Sequence, residues 1–178
     1  ALSDQMGAAG EHDLVGRAFL LVTELKGGGY IAVPGECSLS LIGKVLPGQS
    51  LDDAVVALEA AVQRGVDGTG CTFEISYPAG RDHQFGGSPT DIDRNNPAIA
   101  QLADAVKANF TTRGEIKGAP YWSEAPFLIE RLDCPTVYCA PGNIANCHTL
   151  EERVSLEEYY AGIAAFAEFI VRYCGTAE

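Results

Sequence analysis

The eighteen residues AGRDHQFGGSPTDIDRNN, positions 79–96, limit what the rest of the chain can become. They are rich in Gly, Pro, Asp and Asn and lack apolar periodicity, so neither a strand nor a helix is expected to run through them. The segment is either a linker or a functional loop, and it is taken as the domain boundary. The sequence is therefore expected to form two domains that meet inside it, residues 1–84 and residues 85–178.

In the first part, a small mobile head (1–13) is followed by VGRAFLLVTEL at 15–25, which reads as a buried strand broken by Gly27, Gly28 and Gly29. In ECSLSLIGKVLPG at 36–48, Cys37, Leu39, Leu41, Gly43 and Val45 alternate with Ser38, Ser40, Ile42 and Lys44. This is the period of a sheet with one face covered, with Lys44 pointing away from the core. Ser50 and Asp53 form a capping pair for a helix whose stripe is Leu51, Val55, Leu58 and Val62, ended by Gly65. CTFEISYP at 71–78 alternates as a further strand. Together these predict an α+β sandwich with helices on one face of an antiparallel sheet.

In the second part, Asn96-Pro97 starts a helix carrying Ile99, Leu102, Ala103, Val106 and Phe110, with Gly114 beyond it. Ser123 is placed to cap a short helix that holds Pro126 in its first turn. DCPTVYCAPG at 133–142 fits a parallel strand covered on both sides. Ser155 and Glu158 make a capping box for the last helix, whose expected buried stripe is Leu156, Tyr160, Ile163, Ala167, Ile170 and Cys174, stopped by Gly175. The fold class is α/β.

A net charge of −12 repels nucleic acid and anionic membrane surfaces, which leaves small molecules or proteins as partners. No apolar run reaches the ~20 residues of a spanning helix, and the first residues lack the basic-then-apolar order of a signal peptide, so the expected location is the cytoplasm. Six cysteines without a C-x-x-C pair read as reduced, mostly buried thiols.

The segment NIANCHTLEERV at 143–154 carries His148 between the expected parallel strand and the last helix. Open α/β sheets bind ligands at that edge. On spacing alone two roles stay open: a metal ligand, or an imidazole bonded to main chain at the helix entry. A third reading pairs the Cys147 thiol with His148 as nucleophile and base, but sequence neighbours seldom turn side chains towards each other. Glu151, Glu152, Glu157 and Glu158 are accounted for by the positive end of the helix dipole.

The run from Tyr121 to Tyr159 resembles the C-terminal signature of the acetylornithine deacetylase and succinyl-diaminopimelate desuccinylase family of zinc metallohydrolases. That signature has a T/S-D/E-A turn, a G-x-P-x-V strand, a G-P-G loop and A-H-x-x-[DN]-E. VPGECSLSLIGKVLPGQSLDDA at 33–54 resembles the family's lid, or dimerisation, domain. The resemblance implies a partial lid domain plus the C-terminal half of a zinc-peptidase-like catalytic domain. It implies that His148 is a metal ligand in a site for two zinc ions, with cobalt or manganese as possible substitutes. It further implies that Ser123 and Glu124 line the substrate side and that amides of the Ala140-Pro141-Gly142 loop face the substrate carboxylate. Lys44 stands in place of the lid arginine, a point charge where a planar fork is usual. Ile42 replaces an aspartate, Tyr30 stands where asparagine is common, and Arg81 is a spare anion partner. The family's other ligands and its general base come from an N-terminal half with an H-x-D motif, and no H-x-D occurs in this sequence. The implied function is cleavage of an N-acyl amino acid or dipeptide by this chain together with that half as a second polypeptide, in an oligomer formed through the lid. The alternative is a non-catalytic dimerisation or binding module of the same fold.

Overall fold

The computed structural model describes residues 1–176. The chain divides into two compact units, one made of Ala1–Asp91 with Ala119–Cys134, the other of Ile92–Gly118 with the chain from Pro135 onward. The architecture is mixed α/β with small antiparallel sheets.

The first unit begins with helix α1 (Leu2–Ala8) where a mobile head was expected, followed by a short ladder of β1 (Glu11–His12) with β2 (Gly16–Arg17). Strands β3 (Phe19–Gly27) and β4 (Cys37–Lys44) form an antiparallel hairpin in which Phe19 faces Lys44 and Gly27 faces Cys37. The register slips between Val22 and Glu24. A bulge adds one residue to one strand, so Leu25 returns to the face that holds Leu20 and Val22, opposite Leu39 and Leu41. The alternation read from the sequence is therefore present, with Lys44 on the other face. The expected covering layer is not: Leu25, Leu39 and Val22 are 69%, 58% and 54% exposed. Two strands cannot shield a face by themselves, and α1, which packs on β3, is only two turns long.

Helix α2 (Leu51–Val66) starts at Ser50, whose Oγ accepts from Asp53 N at 3.2 Å, as its sequence implies. It runs through Gly65 rather than stopping there, because the chain turns only at Asp67. Helix α4 (Ala125–Leu132) has Glu124, not Ser123, at its N-cap, while Ser123 Oγ accepts from Ala125 N at 3.1 Å. The CTFEISYP segment is irregular rather than a strand. A strand exists only through its ladder partner, which alternation of side chains does not supply.

In the second unit, helix α3 (Pro97–Asn109) is capped by Asn96, whose Oδ1 accepts from Ala98 N at 2.9 Å, and packs on α5 (Leu156–Cys174). Ser155 Oγ accepts from Glu158 N at 3.1 Å and Gly175 closes α5, as read from the sequence. Asn109 Nδ2 ties the pair together, donating to Ala105 O at 2.9 Å and Glu168 Oε2 at 2.6 Å. Ile99 and Ala105 of α3 and Ala165 of α5 are buried. The stripe expected to be buried on α5 is not: Leu156, Tyr160, Ile163 and Ile170 are 72%, 63%, 52% and 56% exposed. The helix is apolar on two faces and presents the narrower one, Ala161, Gly162 and Ala165, to its surroundings in the unit. DCPTVYCAPG likewise forms no strand.

Among the described residues, the buried hydrophobic ones are Ala18, Leu46, Ile99, Ala105, Ala125 and Ala165. Four of the six are alanines, which contribute little buried area each, so neither unit draws on a large core of its own. The described residues form no disulfide, and Cys37, Cys71, Cys134 and Cys174 are exposed where burial was expected.

Candidate metal centre

The loop from Pro141 to Val154 is held by its own polar side chains. Asn143 Oδ1 accepts from Ala145 N at 3.0 Å and opens a single 3-10 turn, Ile144–Asn146. Thr149 Oγ1 donates to Asn146 O at 2.8 Å and accepts from Glu151 N at 3.2 Å. Between these anchors His148 adopts φ 61°, in the left-handed region. That conformation costs a side-chain-bearing residue roughly 1–2 kcal/mol, and the flanking bonds offset it. Gly142, at φ 100°, turns the chain just ahead of the 3-10 turn.

Glu152 then folds back on the loop. Its Oε2 accepts from His148 N at 2.9 Å and its Oε1 lies 3.7 Å from Cys147 Sγ. A ligating atom of Cys147, of His148 and of Glu152 all lie within 4.8 Å of one another. Sequence neighbours usually diverge, but the left-handed turn at His148 breaks that rule. Cys147 and Glu152 were not singled out as ligands from the sequence, because only the sign of a dihedral angle brings them to His148. The imidazole is exposed, and it is the Glu152 carboxylate that accepts from the main-chain N–H of His148.

The donor set suits a metal. Thiolate sulfur, imidazole nitrogen and carboxylate oxygen are ligands of zinc and related divalent ions, and three protein donors with a free fourth position are the composition of a catalytic site. When bound, such an ion supplies Lewis acidity to an amide carbonyl and to water.

The remaining candidate residues lie in other places. Gly142 shares the second unit with His148. Lys44, Tyr30, Arg81, Ser123 and Glu124 belong to the first unit. Lys44 Nζ donates to Val15 O at 2.9 Å, and Tyr30 stands fully exposed in the loop between β3 and β4. Arg81 lies over the ring of Trp122, 4.5 Å from its centroid, next to Ser123 and Glu124 in sequence.

Part of the segment expected to be a linker is in fact built around Asp82. Its carboxylate accepts from Ser88 N at 3.1 Å and from Trp122 Nε1 at 2.9 Å. The indole packs so close to Gly87 that a Cβ there would fall 1.9 Å from Trp122 Cδ1, which is why this position needs glycine. Partial burial pushes the Asp82 carboxyl up, but the bonds from Ser88 and Trp122 outweigh it and hold the group below the usual aspartate range. A depressed pKa means that this carboxylate contributes stability above the unfolded value of about 3.9, and that the contribution fades as pH falls through the lower folded value. Emission from Trp122, the single tryptophan, should therefore be flat from pH 7 to 5 and change below about pH 4. Asp82→Asn should remove that acid transition; an unaltered transition would mean another group titrates.

The sequence profile of peptidase family M20/M25/M40 matches residues 13–172. No curated protein matches the sequence. Among solved structures, the crystal structure of an M20 family metallo-carboxypeptidase, Sso-CP2 from Sulfolobus solfataricus, superposes with a TM-score of 0.70 at 16% identity. The superposition covers 96% of this chain and 41% of that one, so the chain spans well under half of that structure's length.

Proposed function

Because the chain belongs to peptidase family M20/M25/M40, we propose that residues 1–178 form the C-terminal portion of a metal-dependent amidohydrolase that acts on N-acyl amino acids or dipeptides. The observation that carries this reading is the exposed imidazole of His148, with a thiol and a carboxylate beside it. The narrower kinship, with acetylornithine deacetylase and succinyl-diaminopimelate desuccinylase, rests on the ordered motifs between Tyr121 and Tyr159.

His148 holds one ion of a two-zinc centre. With three histidines and no H-x-D in the sequence, the other ligands and the general base come from an N-terminal portion outside these residues. Lys44 binds the free carboxylate of the substrate, exchanging its bond to Val15 O for one to the ligand. That exchange is cheap, since a single neutral hydrogen bond is worth about 1 kcal/mol net. By the family resemblance, Ser123, Glu124, Arg81 and Tyr30 are the first unit's further candidates for substrate contact, and Gly142 is that of the second unit. The bare apolar faces of α5 and of the β3–β4 hairpin support the same reading. They are the surfaces on which an N-terminal portion and a second lid would pack.

A binding module of the same fold is the second reading, favoured by the engagement of Lys44 with Val15 and by Ile42 and Tyr30, which stand where the family usually has aspartate and asparagine. Native mass and zinc content separate the two. The hydrolase reading expects an assembly that contains an N-terminal portion and close to two zinc ions per site. A particle made only of this chain, with fewer than two zinc ions per site and without hydrolysis of N-acyl amino acids, would establish the module.

A further inference from the structure

We infer that Cys147 and Glu152 join His148 as direct ligands, so that this chain by itself captures one soft divalent cation. The inference shares His148 with the proposal above but requires neither an N-terminal portion nor any hydrolytic activity.

The three donors come from one six-residue segment, so no long loop has to close before they converge. In a tetrahedral sphere with metal bonds of about 2.0–2.3 Å, ligand atoms stand roughly 3.3–3.8 Å apart. The largest separation here is under 4.8 Å, and Cys147 Sγ to Glu152 Oε1 is already 3.7 Å. About 1 Å of side-chain rotation completes the geometry, well within what an exposed imidazole and a glutamate can make.

Glu152 can serve two tasks at once. A carboxylate offers two oxygens and about four lone-pair directions. Oε2 keeps the bond from His148 N, which fixes the left-handed turn, while Oε1 turns to the cation. The main-chain bond thus orients a ligand in the way that outer partners orient ligands in metalloproteins. A mixed set of sulfur, nitrogen and oxygen favours zinc or cobalt over magnesium, calcium or manganese, which prefer oxygen alone. On coordination Cys147 releases its thiol proton to solvent.

The test is cobalt(II) titration of the purified, reduced 178-residue chain under anaerobic conditions. One equivalent should bind with a sulfur-to-cobalt charge-transfer band in the near ultraviolet and visible bands of tetrahedral intensity. Cys147→Ser should abolish the near-ultraviolet band, and Cys147→Ser, His148→Ala and Glu152→Gln should each weaken binding by at least about tenfold, the lower bound for disturbing a metal site. Cys139→Ser should change neither. A second measurement uses the unaltered chain: zinc should slow alkylation of Cys147 at least about tenfold, read by peptide mass, and leave exposed Cys134 and Cys174 unaffected. Absence of one-to-one binding, a charge-transfer band that survives Cys147→Ser, or zinc protection no greater at Cys147 than at Cys134 overturns the inference. None of these results would remove His148 from the larger centre, whose own test is activity of the complete assembly.

Discussion

His148→Ala should cost the proposed hydrolase assembly at least about 100-fold in kcat/KM, beyond the 10–100-fold typical of losing a residue that only orients a ligand. The same substitution should leave the stability of the chain within about 0.5 kcal/mol, as for surface positions in general. The ring is exposed, and what locks the loop is the carboxylate of Glu152 on the main-chain N–H of residue 148, which alanine retains. Two measurements check this: steady-state hydrolysis of an N-acyl amino acid by the assembled enzyme, and chemical denaturation followed by circular dichroism. A large loss of activity with an unmoved denaturation midpoint supports the ligand role. Loss of the fold would instead make His148 a structural residue, held in place by the left-handed turn it occupies. Retained activity with retained fold would remove it from the centre altogether.

A large expected effect on stability lies at Gly114. Its φ is +89°, and a Cβ there would stand 2.7 Å from Ala103 O and 3.0 Å from Lys107 N. Both are backbone atoms of α3, which cannot swing aside as a side chain tip would. Gly114→Ala therefore combines the cost of a left-handed alanine, about 1–2 kcal/mol, with overpacking, about 1–3 kcal/mol, for a total of about 2–5 kcal/mol. The urea midpoint of the unit containing α3 and α5 should fall accordingly. Gly65→Ala is the internal control with the opposite sign. That glycine sits in the last turn of α2 with nothing near its Cβ position, so alanine should stabilise by roughly 0.5–1 kcal/mol. Equal effects at the two positions would mean that the packing of residue 114 against α3 is not as described.

Local features of the chain were legible where the cause is local. Asn96 and Ser155 act as caps because a side-chain oxygen reaches an amide two or three residues away, and no distant part of the protein intervenes. Gly175 ends α5 for the same kind of reason. The alternation along β4 also survived, carried through the hairpin by the bulge near Thr23. Membership of peptidase family M20/M25/M40 was legible too, because the order of motifs between Tyr121 and Tyr159 is a property of the linear text.

What was not legible depended on neighbours. α5 has enough apolar residues to be buried on either of two sides, and periodicity cannot say which one meets α3. CTFEISYP has the alternation of a strand, but a strand's identity rests on a ladder with another segment, which alternation does not supply. The segment from 79 to 96 reads as a linker, yet Asp82 and Gly87 gather Trp122 from forty residues away, a contact invisible without coordinates.

The site divides along the same line. The sequence by itself determined that His148 stands just ahead of a capped helix, in a chain of a metallopeptidase family, because both depend on residue order. Only the tertiary structure decided that Cys147 and Glu152 share its space. That depends on a positive φ at one non-glycine residue and on a carboxylate folding back over its own loop, and neither follows from spacing. Residue order fixes which donors are available, and the three-dimensional path of the backbone fixes which of them meet.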